Sequence, residues 1–127
     1  MNVPFCQHIH LFCPDLNAMT DFWVKGFGGK VEEFRKFGAH EGAALNINSA
    51  TKLYLSEVQG EQQDKASLSS RVDHLGMEVA DLDKALAVLL AIPGVTLTRE
   101  PFVLPRNRRA AFVSGPGGIS IAVLQKG

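Results

Sequence analysis

Two short stretches of the chain alternate between polar and apolar positions, and they lie 66 residues apart. In residues 7–13, Gln7, Ile9 and Leu11 share one face, and His8, His10 and Phe12 share the other. In residues 73–79, Leu75, Met77 and Val79 oppose His74, Gly76 and Glu78. A period of two is that of a β-strand. Each stretch leads into an aspartate, Asp15 or Asp81, placed to cap a helix start. Apolar residues at helical spacing follow. Leu16, Met19, Trp23 and Phe27 form one set, and Leu82, Ala85, Leu86, Leu89 and Leu90 the other. The spacing predicts helices over residues 16–26 and 82–91, ended by Gly28-Gly29 and by Pro93-Gly94.

Three strand-like runs come next in each half, over residues 30–37, 42–48 and 52–58, then 95–103, 109–114 and 119–125. The turn Gly115-Pro116-Gly117-Gly118 separates the last two. At the constant offset of 66, His8 falls on His74, Asp15 on Asp81, Leu16 on Leu82, Gly28 on Gly94 and Val31 on Leu97. The order is therefore β-α-β-β-β, twice. The expected boundaries are a first module over 1–58, a polar linker over 59–70 and a second module over 71–127, together one compact domain.

The 127 residues, 46% hydrophobic and 20% charged, suit such a domain and exclude disorder. Thirteen basic residues balance thirteen acidic ones, so the domain-wide charge that nucleic acid or an anionic membrane would select is absent. The longest apolar run, residues 85–92, is too short to cross a bilayer. No basic segment followed by an apolar one opens the chain. Cys6 and Cys13 share one predicted strand, roughly 23 Å apart at about 3.3 Å per residue, and cannot pair with each other. Together these features lead us to expect a cytoplasmic protein.

The doubled unit, with a histidine in the first strand of each half, resembles the vicinal oxygen chelate superfamily. That superfamily includes glyoxalase I, extradiol dioxygenases and bleomycin resistance proteins. The resemblance rests on His8 with Asp15-Leu16, on His74 with Asp81-Leu82, and on the ending at residues 111–123, which resembles the family's final hairpin. Residues 53–57 resemble the last strand of the first module in the bleomycin-resistance-like branch. The resemblance implies an α+β fold of two tandem βαβββ modules, with curved sheets around a cleft and helices outside. His8, His10 and Phe12, and likewise His74, Gly76 and Glu78, would then face the cleft. It also implies a homodimer, in which modules of two chains complete or cap the clefts.

Enzymes of the family hold a divalent metal (zinc, nickel, manganese or iron) through a first-strand histidine and a last-strand Glu or Gln of each module. His8 and His74 match the histidines. The family's last-strand Glu falls on Ala122, and the offset of 66 carries that position back to Ser56. Neither residue suits this kind of metal site. Glu57 adjoins Ser56 but alternates to the other face, unless a bulge turns it back. A three-histidine set of His8, His10 and His74 is the competing arrangement.

Two function classes follow. One is a metal-dependent lyase or isomerase, with metal at His8, His74 and Glu57 and proton transfer by Glu78 or Glu57; an iron-dependent extradiol-type dioxygenase is a variant of it. The other is a metal-free, antibiotic-type small-molecule binder, favoured by the missing carboxylates. For either, His10, Phe12, Tyr54, Ser56, Arg106 and Ala122 are the expected ligand contacts, and net zero charge favours a neutral or anionic ligand. Phe12, Phe34, Phe37, Phe102 and Phe112 are candidates for an apolar lining. Ordinary readings stand beside these. A His facing a cleft is often a hydrogen-bonded lining residue, Glu78 a salt-bridge partner, the basic run 105–109 a solvated hairpin tip, and Trp23 helix core.

Overall fold

The computed structural model describes residues 6–59 and 72–126. The chain divides into two compact units, Met1–Ser69 and Ser70–Gly127. Most of the expected linker, residues 60–70, lies outside the described residues.

In the first unit, β1 (His8–Cys13) leads into α1 (Leu16–Phe27), followed by β2 (Lys30–Phe37), β3 (His40–Asn46) and β4 (Lys52–Glu57). In the second, β5 (Leu75–Val79) leads into α2 (Leu82–Leu90), then β6 (Thr96–Leu104), β7 (Arg108–Ser114) and β8 (Ser120–Gln125). The order along the sheet is β1-β4-β3-β2 in one unit and β5-β8-β7-β6 in the other. The first strand pairs parallel with the last, because the helix carries the chain across. The other pairings are antiparallel.

The two βαβββ modules are as the periodicity predicts, but the curved sheets around a cleft are not. Each module ends as an open, mixed, four-stranded sheet with two edge strands, and neither sheet is curled or closed. Each four-stranded ladder keeps two strands without an outer neighbour in its sheet.

Each helix starts where its aspartate predicts. Asp15 accepts from the Ala18 N–H at 3.0 Å and Asp81 from the Lys84 N–H at 3.1 Å. Glycine ends α1: Gly28 takes a left-handed φ of 69° and its N–H reaches back to the helix carbonyls. The buried stripe Met19, Phe22 and Trp23 of α1 shares the first core with Cys13, Leu45, Leu53 and Leu55. Leu82, Leu86 and Leu89 of α2 share the second with Ala111, Val113, Ile121 and Val123. In the first sheet His8 and His10 lie on the face opposite these core residues, whereas β5 begins only at Leu75, so the strand expected over residues 73–79 is shorter and His74 precedes it. Among the described residues, no helix is long and apolar enough to cross a membrane.

Candidate functional site

Strand pairing decides which last-strand residue lies beside each first-strand histidine. In the first unit His10 pairs with Tyr54 and Phe12 with Ser56. In the second, Gly76 pairs with Ala122 and Glu78 with Leu124. Gly76 is the repeat partner of His10, so Ala122 corresponds to Tyr54 and not to Ser56. The offset has grown from 66 to 68. The added length enters between β2 and β3 on one side and β6 and β7 on the other. There the two-residue turn after Phe37 is replaced by the 3-10 turn Pro105–Asn107, and β6 carries two register shifts. An even increment keeps the alternation intact, and so leaves no trace in a period-two pattern.

His8, Tyr54, Phe37 and Arg35 form a run of planar groups on the first unit's open face. His8 stacks on Tyr54 with ring centroids 4.2 Å apart, and Tyr54 on Phe37 at 5.3 Å. The Arg35 guanidinium lies 4.8 Å above the Phe37 ring. Gly42 makes this run feasible: a Cβ there would overlap the Phe37 ring and the Leu55 carbonyl oxygen. His10 meets Phe37 edge-on at 4.5 Å and shares a 2.6 Å hydrogen bond between its Nε2 and the Ser56 hydroxyl. Burial, and secondarily the neighbouring His8, hold the His10 pKa below its usual value, so the ring is neutral at pH 7. Ser56 is 1% exposed, so His10 supplies a partner for a hydroxyl shut away from water.

Phe12 stands at the rim of this group, 48% exposed and 6.4 Å from His10. Phe34 does not join it. It pairs with Ala43 on the opposite face and is largely exposed.

Glu57 also lies elsewhere. The ladder runs through Ser56 without a bulge, pairing Cys13 with Glu57 on the helix side. There its carboxylate accepts from the Leu16 N–H at 2.9 Å, at the positive end of α1. Gln125 holds the Leu82 N–H of α2 in the same way, at 2.9 Å.

In the second unit, His74 meets Phe112 edge-on at 5.2 Å. Phe112 is nearly parallel to Phe102 at 6.2 Å, and Arg99 lies 3.6 Å over Phe102. Glu78 is ion-paired to Arg108 at 2.9 Å, and Arg109 binds Asp83 through two hydrogen bonds. The hydrogen bonds from Arg109 hold the Asp83 carboxyl below its usual range. Two of the three arginines in the basic run are thus paired, while Arg106 occupies the turn at a left-handed φ of 67°.

His8, which opens β1, and His74, which precedes β5, are each oriented by the residue before them. The His8 Nδ1 is 2.7 Å from Gln7 Oε1, and the His74 Nδ1 is 2.8 Å from Asp73 Oδ2. Nδ1–H donates to that oxygen in each case. A metal held in the way the resemblance implies needs a last-strand oxygen donor beside each histidine. Tyr54, stacked on His8, and Ala122, which pairs with Gly76 as Tyr54 pairs with His10, stand at the last-strand positions, and Glu57 serves the helix. In the three-histidine alternative, His10 Nε2 is already engaged by Ser56. Among the described residues, no group of three His, Cys, Asp or Glu side chains is arranged to hold a metal ion. The donor set of either unit therefore does not fit the three or four ligands such a site requires.

The profile of the glyoxalase/bleomycin resistance protein/dioxygenase superfamily matches residues 6–123. The chain belongs to this superfamily. The fold matches a family enzyme from Burkholderia phytofirmans PsJN at 20% identity and a TM-score of 0.75, covering 94% of this chain and 97% of that one. A glyoxalase-related enzyme from Fulvimarina pelagi is similar at 21% identity and a TM-score of 0.74, covering 98% and 89%. A glyoxalase I mutant from Zea mays matches at 19% identity and a TM-score of 0.73, covering 95% of this chain and 44% of that one. No curated protein sequence matches the chain. At these identities the superfamily supplies the fold, and the reaction must be read from the side chains.

Proposed function

We propose that this superfamily member is a small-molecule binding protein that works without a catalytic metal. The observation that carries the reading is Tyr54: a phenol ring, stacked on His8, stands at the last-strand position where a metal-dependent relative places a carboxylate. The histidine is a stacking surface here. With Tyr54, Phe37 and Arg35 it presents planar groups ending in a cation, beside the neutral His10–Ser56 pair. Such a surface suits a planar aromatic ligand that is neutral or anionic. Stacking supplies the apolar contact, Arg35 favours a negative substituent, and His8 Nε2 accepts a hydrogen bond.

On this reading Glu78, expected as a proton-transfer group, serves as the ion-pair partner of Arg108, and Glu57 serves α1. The reading rests on the donor set; the similar proteins from Burkholderia phytofirmans and Fulvimarina pelagi are described as enzymes.

The test is a binding screen of planar aromatic carboxylates, followed by NMR at the His8, His10 and Tyr54 resonances, with and without chelator. Binding that shifts these resonances equally in both conditions, and weakens at least tenfold in Tyr54→Ala, is expected. Stoichiometric zinc, nickel, manganese or iron in the purified protein, lost in His8→Ala or His74→Ala, would overturn it in favour of the lyase or isomerase.

A further inference from the structure

The Ser56 hydroxyl is shut from water on the first unit's open face and has apolar neighbours. In the ladder Ser56 stands between Phe12 on β1 and Gly42 on β3. The Phe37 ring fills the space that a Gly42 side chain would take. Among the described residues the hydroxyl has one hydrogen-bond partner, the His10 Nε2 at 2.6 Å. Folding does not require this pair. The second unit closes the same ladder with Gly76 and Leu124 at the corresponding positions.

A hydroxyl has one hydrogen to give, and a neutral imidazole has one bare nitrogen to receive it. Burial keeps His10 neutral at pH 7. Two arrangements are then open. If Nε2–H donated to Ser56, the serine O–H would be left buried without an acceptor, at the full desolvation cost of that donor. If the Ser56 O–H donates to Nε2, the hydroxyl is satisfied and the ring proton stands on Nδ1. The intrinsic difference between imidazole tautomers is small beside a stranded buried donor, so the second arrangement prevails. His10 itself is exposed, and its Nδ1 has no acceptor among the described residues. That N–H is left to water, or to a ligand that displaces water.

We propose that Ser56 fixes His10 as a hydrogen-bond donor through Nδ1–H. The first unit's face then selects aromatic ligands that carry an oxygen or nitrogen acceptor beside the ring, such as an aryl carbonyl or carboxylate. Ser56 is a positioning residue, too buried to touch the ligand, and His10 makes the contact. A ligand that brings an N–H to the same point sets donor against donor and is rejected. The choice of ligand rests on the aromatic-binding function proposed above. The tautomer rests on the buried hydrogen bond alone.

The first measurement is the tautomer. In protein with isotope-labelled histidine, at about pH 8, long-range proton–nitrogen NMR correlations distinguish a protonated ring nitrogen from a bare one. The wild-type His10 is expected to carry its proton on Nδ1, and Ser56→Ala is expected to shift it toward Nε2. A proton on Nε2 in the wild type, or a tautomer unmoved by Ser56→Ala, would overturn the inference with no ligand involved. The second measurement is titration with acetophenone and with α-methylstyrene, which share a shape and differ by a carbonyl oxygen against a methylene. The ratio of ketone to hydrocarbon affinity is expected to fall about fivefold in His10→Phe, as the loss of one ordinary hydrogen bond gives, and by less in Ser56→Ala. A ratio unchanged in both variants would overturn the donor role of His10. If neither compound binds the wild type although Nδ1 carries the proton, the proposed binding function falls, and the choice of ligand falls with it.

Discussion

The two units share a backbone plan and the way their helices start, and they part on the sheet face away from the helix. Where the first unit has His10, Tyr54 and Ser56, the second has Gly76, Ala122 and Leu124. Where the first has Gly42 and Ala44, the second has Ala110 and Phe112. The aromatic groups have moved from the β1–β4 side to the β6–β7 side, and the hydrogen-bonded polar pair occurs in the first unit. The helix side shows the reverse. Asp15 and Asp81 cap the helices alike, and Glu57 and Gln125 hold the first helical N–H alike. Core and caps answer to folding, which both units must satisfy. The open face has no such common duty, so its divergence marks where the units' tasks differ.

The largest effect separating the units should come at Gly42. A side chain there meets backbone as well as the Phe37 ring. Gly42→Val is expected to cost about 3 kcal/mol by overpacking. The matching exchange, Ala110→Gly, is expected to cost roughly 0.5–1 kcal/mol. Urea unfolding of both variants checks the contrast, and equal losses would remove the special status given to the Phe37 stack.

Next is the His10–Ser56 pair. His10→Ala leaves a buried hydroxyl without its partner and is expected to cost about 2 kcal/mol. Adding Ser56→Ala should recover part of that loss, since the second unit manages with Gly76 and Leu124 at these positions. A double-mutant cycle with near-zero coupling would contradict the pair's role. The same pair sets a pH signature. Because the folded His10 pKa lies below its unfolded value near 6.5, protonation favours the unfolded chain. Stability is therefore fully present above about pH 6.5 and falls as pH drops through the folded pKa. His10→Gln should flatten that part of the pH–stability curve.

A smaller effect distinguishes the two helix starts. Glu57→Ala should cost about 1 kcal/mol, and Gln125→Ala less, because a carboxylate also gains from the helix dipole. Glu57→Gln keeps the hydrogen bond and should lose only the dipole part, about 0.5 kcal/mol, in thermal unfolding. If it instead abolished a measured activity while leaving stability unchanged, Glu57 would belong to a reaction site after all. The smallest perturbation is chemical. Burial pushes the Cys13 thiol up to about 11, whereas Cys6 is exposed. A thiol reagent at pH 8 should modify one cysteine per chain in the folded state and two in urea.

Much of the fold was legible in the chain itself. Alternation in residues 7–13 and 73–79, helical spacing after Asp15 and Asp81, and glycine at the end of α1 act over a few residues, and local backbone geometry enforces them. They settle the element order, the two modules and the face on which His8 and His10 lie. The neighbours of those histidines were settled by pairing between strands more than forty residues apart. A two-residue change of offset leaves every alternation pattern intact and yet replaces Ser56 with Tyr54 as the match to Ala122. Glu57 read as a displaced ligand because its hydrogen-bond partner, the Leu16 N–H, becomes its neighbour only when β4 lies beside β1. The openness of the two sheets was likewise a matter of which strand edges find partners. Short-range geometry chose the elements; long-range hydrogen bonding chose their register, and the register decides which side chains share a face.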